Sequence, residues 1–251
     1  GLFGDPAIAQ KLLDKGADIN ARDNNNHGIV ILVSNALKRE MLEYVLENGA
    51  DYKIPDKQGR TPLYLGVINN QYVLVEKAVQ GEDVNMVINK AANSTLFMEA
   101  VREGHPRIVK LMLDMGGDVN HENTAGSTPL FYAAIGGNPE IIDMLLQKGV
   151  EVDKVNKKGD TPLLAGIDNG QTVSVEKLLA SGANPNHQDS NGLSALMLAV
   201  NKELEDIVKL LLIAGADPSL KDKDGGTVFD YALPRQNPAI NRLLENTVQG
   251  S

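Results

Sequence analysis

The chain contains no cysteine and no tryptophan, and aromatic residues make up only 4% of it. Without cysteine there is no disulfide, no thiolate nucleophile and no cysteine metal site, and the sequence carries no mark of a reducing or an oxidising compartment. No stretch approaches the roughly 18–20 apolar residues that a membrane-spanning helix needs. No basic segment leading into an apolar one opens the chain, so a signal peptide is either absent or already removed. Positive charge is in deficit: 24 Lys and Arg against 33 Asp and Glu leave a net charge of −9. That balance disfavours phosphate backbones and anionic membranes as main partners. None of the signatures GxxxxGK[S/T], GxGxxG, GxSxG, HExxH or HxxxH occurs, so the familiar nucleotide, hydrolase and zinc motifs are missing. What the chain does have is apolar content. Hydrophobic residues fill 42% of 251 positions, enough to exclude disorder and to build a continuous core.

That apolar content is periodic. Thr61-Pro62-Leu63, Thr128-Pro129-Leu130 and Thr161-Pro162-Leu163 are plain copies of one another. Weaker copies stand at Gly28-Ile29-Val30, Thr95-Leu96-Phe97, Ser194-Ala195-Leu196 and Thr227-Val228-Phe229. The starts 28, 61, 95, 128, 161, 194 and 227 are spaced by 33 residues, with a single interval of 34. Two residues before each start stands Asn26, Gly59, Asn93, Gly126, Gly159, Gly192 or Gly225, the residue types that tolerate positive φ in a tight turn. A fixed period of this length signals a repeat architecture.

One repeat shows why. Thr128 is suited to cap a helix and Pro129 to begin it, where its missing N–H costs nothing. Leu130, Ala133 and Ala134 form an apolar face of small residues that lets a neighbouring helix approach. Gly137-Asn138-Pro139 breaks the chain, and Ile141, Ile142, Leu145 and Leu146 recur at helical spacing on a second helix. Gly149 is placed to cap its C-terminus. Each repeat is therefore a helix–turn–helix with a reaching β-turn, and only neighbouring repeats can cover its apolar faces. The run Ile29-Val30-Ile31-Leu32-Val33 has strand propensity, but the register assigns it to a helix.

In period and in its Asp-x-x-Gly-x-Thr-Pro-Leu turn, the sequence resembles an ankyrin repeat array over residues 4–248. The resemblance implies an all-α, right-handed, curved solenoid that binds other proteins along its concave face and β-turn fingers. It also implies a monomeric binding scaffold rather than an enzyme, and leans towards the cytoplasm, although no residue fixes the compartment. One repeat domain is expected over residues 1–251: a partial repeat at 1–22 and repeats starting near 23, 56, 90, 123, 156, 189 and 222. Gly4-Asp5-Pro6-Ala7-Ile8 aligns with Gly104-His105-Pro106-Arg107-Ile108, so the chain is expected to have been cut inside a repeat. At the other end Arg235, Asn241, Arg242 and Glu245 give the last repeat a polar outer face, as terminal repeats require. The repeat starting at Thr61 is irregular, losing a residue before Gly81 and gaining two between Asn85 and Thr95. The segment Met86 to Ser94 is either a tolerated insertion or a finger that reaches a partner.

No chemistry stands out from this frame. His27, His105, His121 and His187 have no metal-ligand spacing. Asp222-Lys223-Asp224-Gly225 resembles the opening of a calcium loop but lacks its remaining ligands. Asn93-Ser94-Thr95 is a glycosylation sequon of low specificity. No cofactor, metal, nucleic acid, membrane or small-molecule substrate is expected, and no catalytic residue. Positions +2, +5 and +6 after each start face the core, so +4 and +7 should face the groove. The expected partner-binding residues are Leu65 and Ile68, Glu99 and Arg102, and Tyr132 and Ile135, with Lys57 and Arg60 on a bordering turn. Leu65 and Ile68 have a second reading, as packing against a neighbouring helix. A second function is also open: a targeting or substrate-recruiting arm of a larger enzyme, toxin or effector whose catalytic domain lies elsewhere.

Overall fold

The computed structural model describes residues 5–235 and 237–249. Their chain order begins with α1 (Pro6–Asp14), then α2 (Ile29–Asn35) and α3 (Arg39–Glu47), then α4 (Pro62–Ile68) and α5 (Tyr72–Ala78). A short hairpin of β1 (Val87–Asn89) and β2 (Ser94–Thr95) precedes α6 (Leu96–Glu103) and α7 (Pro106–Asp114). The rest is helical: α8 (Pro129–Gly136), α9 (Pro139–Gln147), α10 (Pro162–Asp168) and α11 (Thr172–Ala180). It ends with α12 (Ala195–Asn201), α13 (Glu205–Ile213), α14 (Val228–Ala232) and α15 (Pro238–Gln249). The architecture is the helical solenoid class that the period implies.

Each repeat start is a helix N-cap: Gly28, Thr61, Thr95, Thr128, Thr161, Ser194 and Thr227. At four of these the side-chain oxygen accepts a backbone N–H three residues on, as from Thr161 to Leu164 N at 3.3 Å and from Thr61 to Tyr64 N at 3.1 Å. The strand-prone run at 29–33 is α2, with Val30, Ile31 and Val33 buried. Burial of those β-branched side chains outweighs their local preference.

The described residues gather into two compact units. The first comprises residues up to Met86 together with His105–Gly117. Its second helices α1, α3, α5 and α7 pack in a row, and α2 and α4 pack on each other and on α3 and α5. The second unit comprises Val87–Gly104 and the residues from Asp118 onward. There α6, α8, α10, α12 and α14 form the row of first helices, and α9, α11, α13 and α15 the row of second helices. Leu130, Ala133 and Ala134 at +2, +5 and +6 are fully buried, as are Ile141, Ile142 and Leu145 on α9. Small +5 residues allow this approach: at Gly66 an added Cβ would sit 3.0 Å from Val75 Cγ2.

The fingers repeat one hydrogen-bond plan. Asp23, Asp56, Asn123, Asn156, Asp189 and Asp222 each accept two backbone N–H groups, from the residues two and four positions on. Within each unit consecutive fingers are also bonded to each other. Lys57 N donates to Asn25 O in the first, and Lys157 N, Ser190 N and Lys223 N donate to Ala125 O, Lys158 O and Asn191 O in the second. At Gly159, with φ of 81°, a Cβ would lie 2.7 Å from the Ser190 nitrogen, so close stacking of fingers requires glycine.

Candidate interaction groove

In the second unit the fingers and the first helices enclose a groove of about 580 Å³. Phe131 and Ile135 of α8, Leu164, Ala165 and Asp168 of α10, and Leu198 of α12 line its helical side. Fingers at 125–127, 156–160 and 189–193 form the other wall. Of the +4 and +7 positions of these repeats, Ile135, Ala165 and Leu198 give the helical side its apolar strip, interrupted by Asn169 and by the exposed Asp168, which pairs with Lys202 at 2.9 Å. The finger side carries Lys157 and Lys158, both exposed and without a carboxylate partner within 4.0 Å among the described residues. Floor and wall together offer an apolar strip beside two lysines that form no ion pair among the described residues, with Asp160 and Asp189 on the same wall.

The expected partner-binding residues are differently placed. Leu65 is only 5% exposed, so it belongs to the core of the first unit, and Ile68 is half-buried. Glu99 is 8% exposed and holds Arg102, which also lies 2.8 Å from Glu103 Oε1. The Arg102 charge is therefore answered by its own helix. Ile135 is 37% exposed and lies in the groove. Tyr132 is half-buried, and its hydroxyl accepts from Asn123 Nδ2 at 2.9 Å, tying α8 to its finger. Lys57 is exposed on its finger, whereas Arg60 Nε donates to the buried Asp56 at 2.7 Å. Burial pushes the Asp56 carboxyl up, but the Arg60 backbone N–H, the Arg60 guanidinium and the Gln58 N–H bring it below the usual carboxylate value. Position +4 thus runs from buried at Leu65 and Glu99 to half-buried at Tyr132, Ala165 and Leu198. The groove lies two repeats further along the chain than the triplet of repeats starting at 61, 95 and 128.

Other polar features serve the scaffold. His121 Nε2 and His187 Nε2 lie 2.8 Å and 2.7 Å from the carbonyls of Asn93 and Gly159, the same position of the preceding finger in each case. His105 Nε2 lies 3.4 Å from Ile68 O, and His27 Nδ1 2.9 Å from Asp23 Oδ2. Asp222, first residue of the calcium-like stretch, has its oxygens engaged by Asp224 N, Gly226 N and the Tyr231 hydroxyl. The Asn93 amide of the sequon donates to Glu122 O at 2.9 Å, and Thr95 Oγ1 accepts from Met98 N. The irregular finger is itself docked, since Thr124 N donates to Ala92 O at 2.9 Å. Among the described residues no cluster of three or more His, Asp or Glu is placed to hold a metal ion. None of their helices is long and apolar enough to cross a membrane.

Comparison with known proteins agrees with the repeat geometry. A family profile of ankyrin repeats matches residues 2–88, 97–189 and 167–250. The chain belongs to the ankyrin repeat family. Over 118 residues, 45% of this chain, it is 29% identical to alpha-latrocrustotoxin-Lt1a of Latrodectus tredecimguttatus. Over 90 residues, 35% of this chain, it is 29% identical to a putative ankyrin repeat protein of Acanthamoeba polyphaga mimivirus. The matched stretches span 8% of the toxin and 12% of the viral protein. Ankyrin repeats are in general protein–protein interaction modules and are typically non-catalytic.

Proposed function

We propose that this chain is a non-catalytic protein-interaction scaffold whose partner lies in the groove between the fingers and first helices of the repeats starting at 128, 161 and 194. The observation that carries the reading is the groove's composition. Ile135, Ala165 and Leu198 give an accessible apolar strip, and Lys157 and Lys158 stand over it in no ion pair among the described residues, although Asp160, Asp168 and Asp189 line the same groove. An extended partner segment with apolar side chains and flanking carboxylates complements both. Ile135 is the anchor, with Tyr132 beside it on α8. Ile68, Lys57 and Arg60 are a separate candidate contact on the first unit.

Site-specific photo-crosslinking tests this. A photoreactive phenylalanine analogue at position 135 is expected to form adducts with the partner, whereas the same group at Val173, exposed on α11, is not. Equal yields from both positions would remove the groove from the account.

A second reading rests on the likeness to a much longer toxin. In it the array is the recruiting arm of a larger protein whose activity resides in another domain. The complete coding sequence separates the two readings, because only the second requires a further catalytic domain on the same chain.

A further inference from the structure

The first unit carries a second pocket, on the edge where first helices turn into second helices. It encloses about 600 Å³ between α3, α5 and α7, with Leu37, Arg39, Leu42, Tyr72, Val73 and Arg107 among its lining residues. Two features of it run against the pattern of the repeats. Leu37 occupies the left-handed position of the inter-helix turn, with φ of 53°, where other repeats place Asn70, Gly104, Gly137, Gly170 and Glu203. A leucine pays a steric penalty there that glycine and asparagine avoid, and yet it is 65% exposed, so the scaffold draws little packing from it. Backbone strain at an exposed apolar residue points to a contact outside the fold.

The second feature is electrostatic. Arg107 lies with its guanidinium carbon 4.1 Å from the Tyr72 ring centroid, and no carboxylate stands within 4.0 Å of it among the described residues. The guanidinium sits over the ring and also bonds the Tyr72 hydroxyl, and with five N–H donors it keeps others for a carboxylate. Arg39, on the same rim, is largely exposed and shares only Glu43. The pocket's own carboxylate, Glu76, is engaged by the Tyr72 hydroxyl at 3.0 Å. In a chain of net charge −9, two arginines against one glutamate line this pocket, and Arg107 is the one of the two outside an ion pair among the described residues.

We propose that the pocket between α3, α5 and α7 is a second docking surface, independent of the finger groove, for a protein segment bearing a carboxylate next to an apolar side chain. The carboxylate meets the edge of Arg107 and the apolar side chain packs on Leu37 and Val73. Bidentate geometry and a held arginine give selectivity for carboxylate over amide.

The test uses the intact chain, labelled with nitrogen-15, and two capped peptides: acetyl-Ala-Leu-Glu-Leu-Asp-amide and its Gln/Asn counterpart. The acidic peptide is expected to shift the amides of residues 37–42 and 70–76 and the Arg107 side-chain signal. Its affinity should exceed that of the neutral peptide at least about fivefold, as for charge-assisted pairs. Arg107→Gln should reduce acidic-peptide binding to the neutral level. Leu37→Asn, which suits the turn as Asn70 does, should weaken binding without lowering the thermal midpoint. Equal response to both peptides, shifts confined to residues around Ile135 and Leu198, no shift at about 10 mM peptide, or binding insensitive to both substitutions would each overturn the proposal. Apart from shifts at Ile135 and Leu198, which would place the peptide in the finger groove, these outcomes leave that groove to its own test.

Discussion

The Tyr231 hydroxyl donates to Asp222 Oδ2 at 2.6 Å, joining the first helix of the last repeat to its own finger. Tyr132 stands at the same repeat position and is joined to Asn123 in the same way, with the amide as donor. The bond to Asp222 and partial burial push the Tyr231 hydroxyl up to about 12, and the same bond, with the Gly226 N–H, holds Asp222 below the usual carboxylate value.

A pH dependence with a definite sign follows for the last repeat. A raised Tyr231 contributes stability that is complete below its ordinary value of 10.0 and is lost as the pH rises towards about 12. A lowered Asp222 contributes stability that is present above 3.8 and is lost as the pH falls through its depressed folded value. Two of the six tyrosines are raised, Tyr231 by its bond to Asp222 and Tyr72 by its bond to Glu76, and the latest component of an alkaline ultraviolet titration, towards about 12, is expected from Tyr231. Tyr231→Phe should remove that late component; if the late component persists, the bond is not what holds the proton.

Gly66 and Gly166 occupy the same +5 position in two repeats and are expected to respond oppositely to alanine. At Gly166 an added Cβ meets Ala134 O at 3.6 Å and side-chain carbons at 3.7 and 3.8 Å, which is ordinary contact. Gly166→Ala should stabilise by about 0.5–1 kcal/mol through helix propensity and unfolded-state entropy. At Gly66 the same atom meets Val75 and Leu74 side-chain carbons at 3.0, 3.2 and 3.3 Å. Gly66→Ala should cost about 1–3 kcal/mol through overpacking. Denaturant melts of the two variants check both signs.

Ser174 on α11 is fully buried, and its hydroxyl oxygen has no hydrogen-bond partner among the described residues. An unmet buried hydroxyl is unfavourable, so Ser174→Ala should be neutral or stabilising by about 1 kcal/mol. A clear loss of stability would reveal a bond to Ser174 that the geometry does not contain.

The repeat starts were legible because several independent signals share one phase: a turn glycine or asparagine, a capping Thr or Ser, then Pro or an apolar residue. Even α2 could be placed, since register survives where local propensity points to a strand. The groove was less legible. Whether a +4 side chain is open or covered depends on what neighbouring repeats lay over it, and a single repeat's pattern treats Leu65, Tyr132 and Leu198 alike. The structure separates them, burying Leu65 and leaving Leu198 half-buried in the groove. The cationic face of that groove was visible as Lys157-Lys158, but a lysine pair on a turn reads as solvated until the apolar strip beneath it is known. Leu37 carried a signal of its own, an apolar residue where aligned turns hold Gly, Asn or Glu, and only the positive φ and the neighbouring Tyr72–Arg107 contact give it meaning.

The central claim is that a partner protein occupies the finger groove of the second unit. Calorimetric titration of the purified partner into wild-type protein, Ile135→Ala/Leu198→Ala and a Val173→Ala control tests it most directly, with thermal midpoints measured alongside. The account expects the groove double variant to lose at least about tenfold in affinity, the size of a modest interface anchor, while the control binds as wild type. Unchanged affinity in the double variant, or an equal loss in the control, would contradict it.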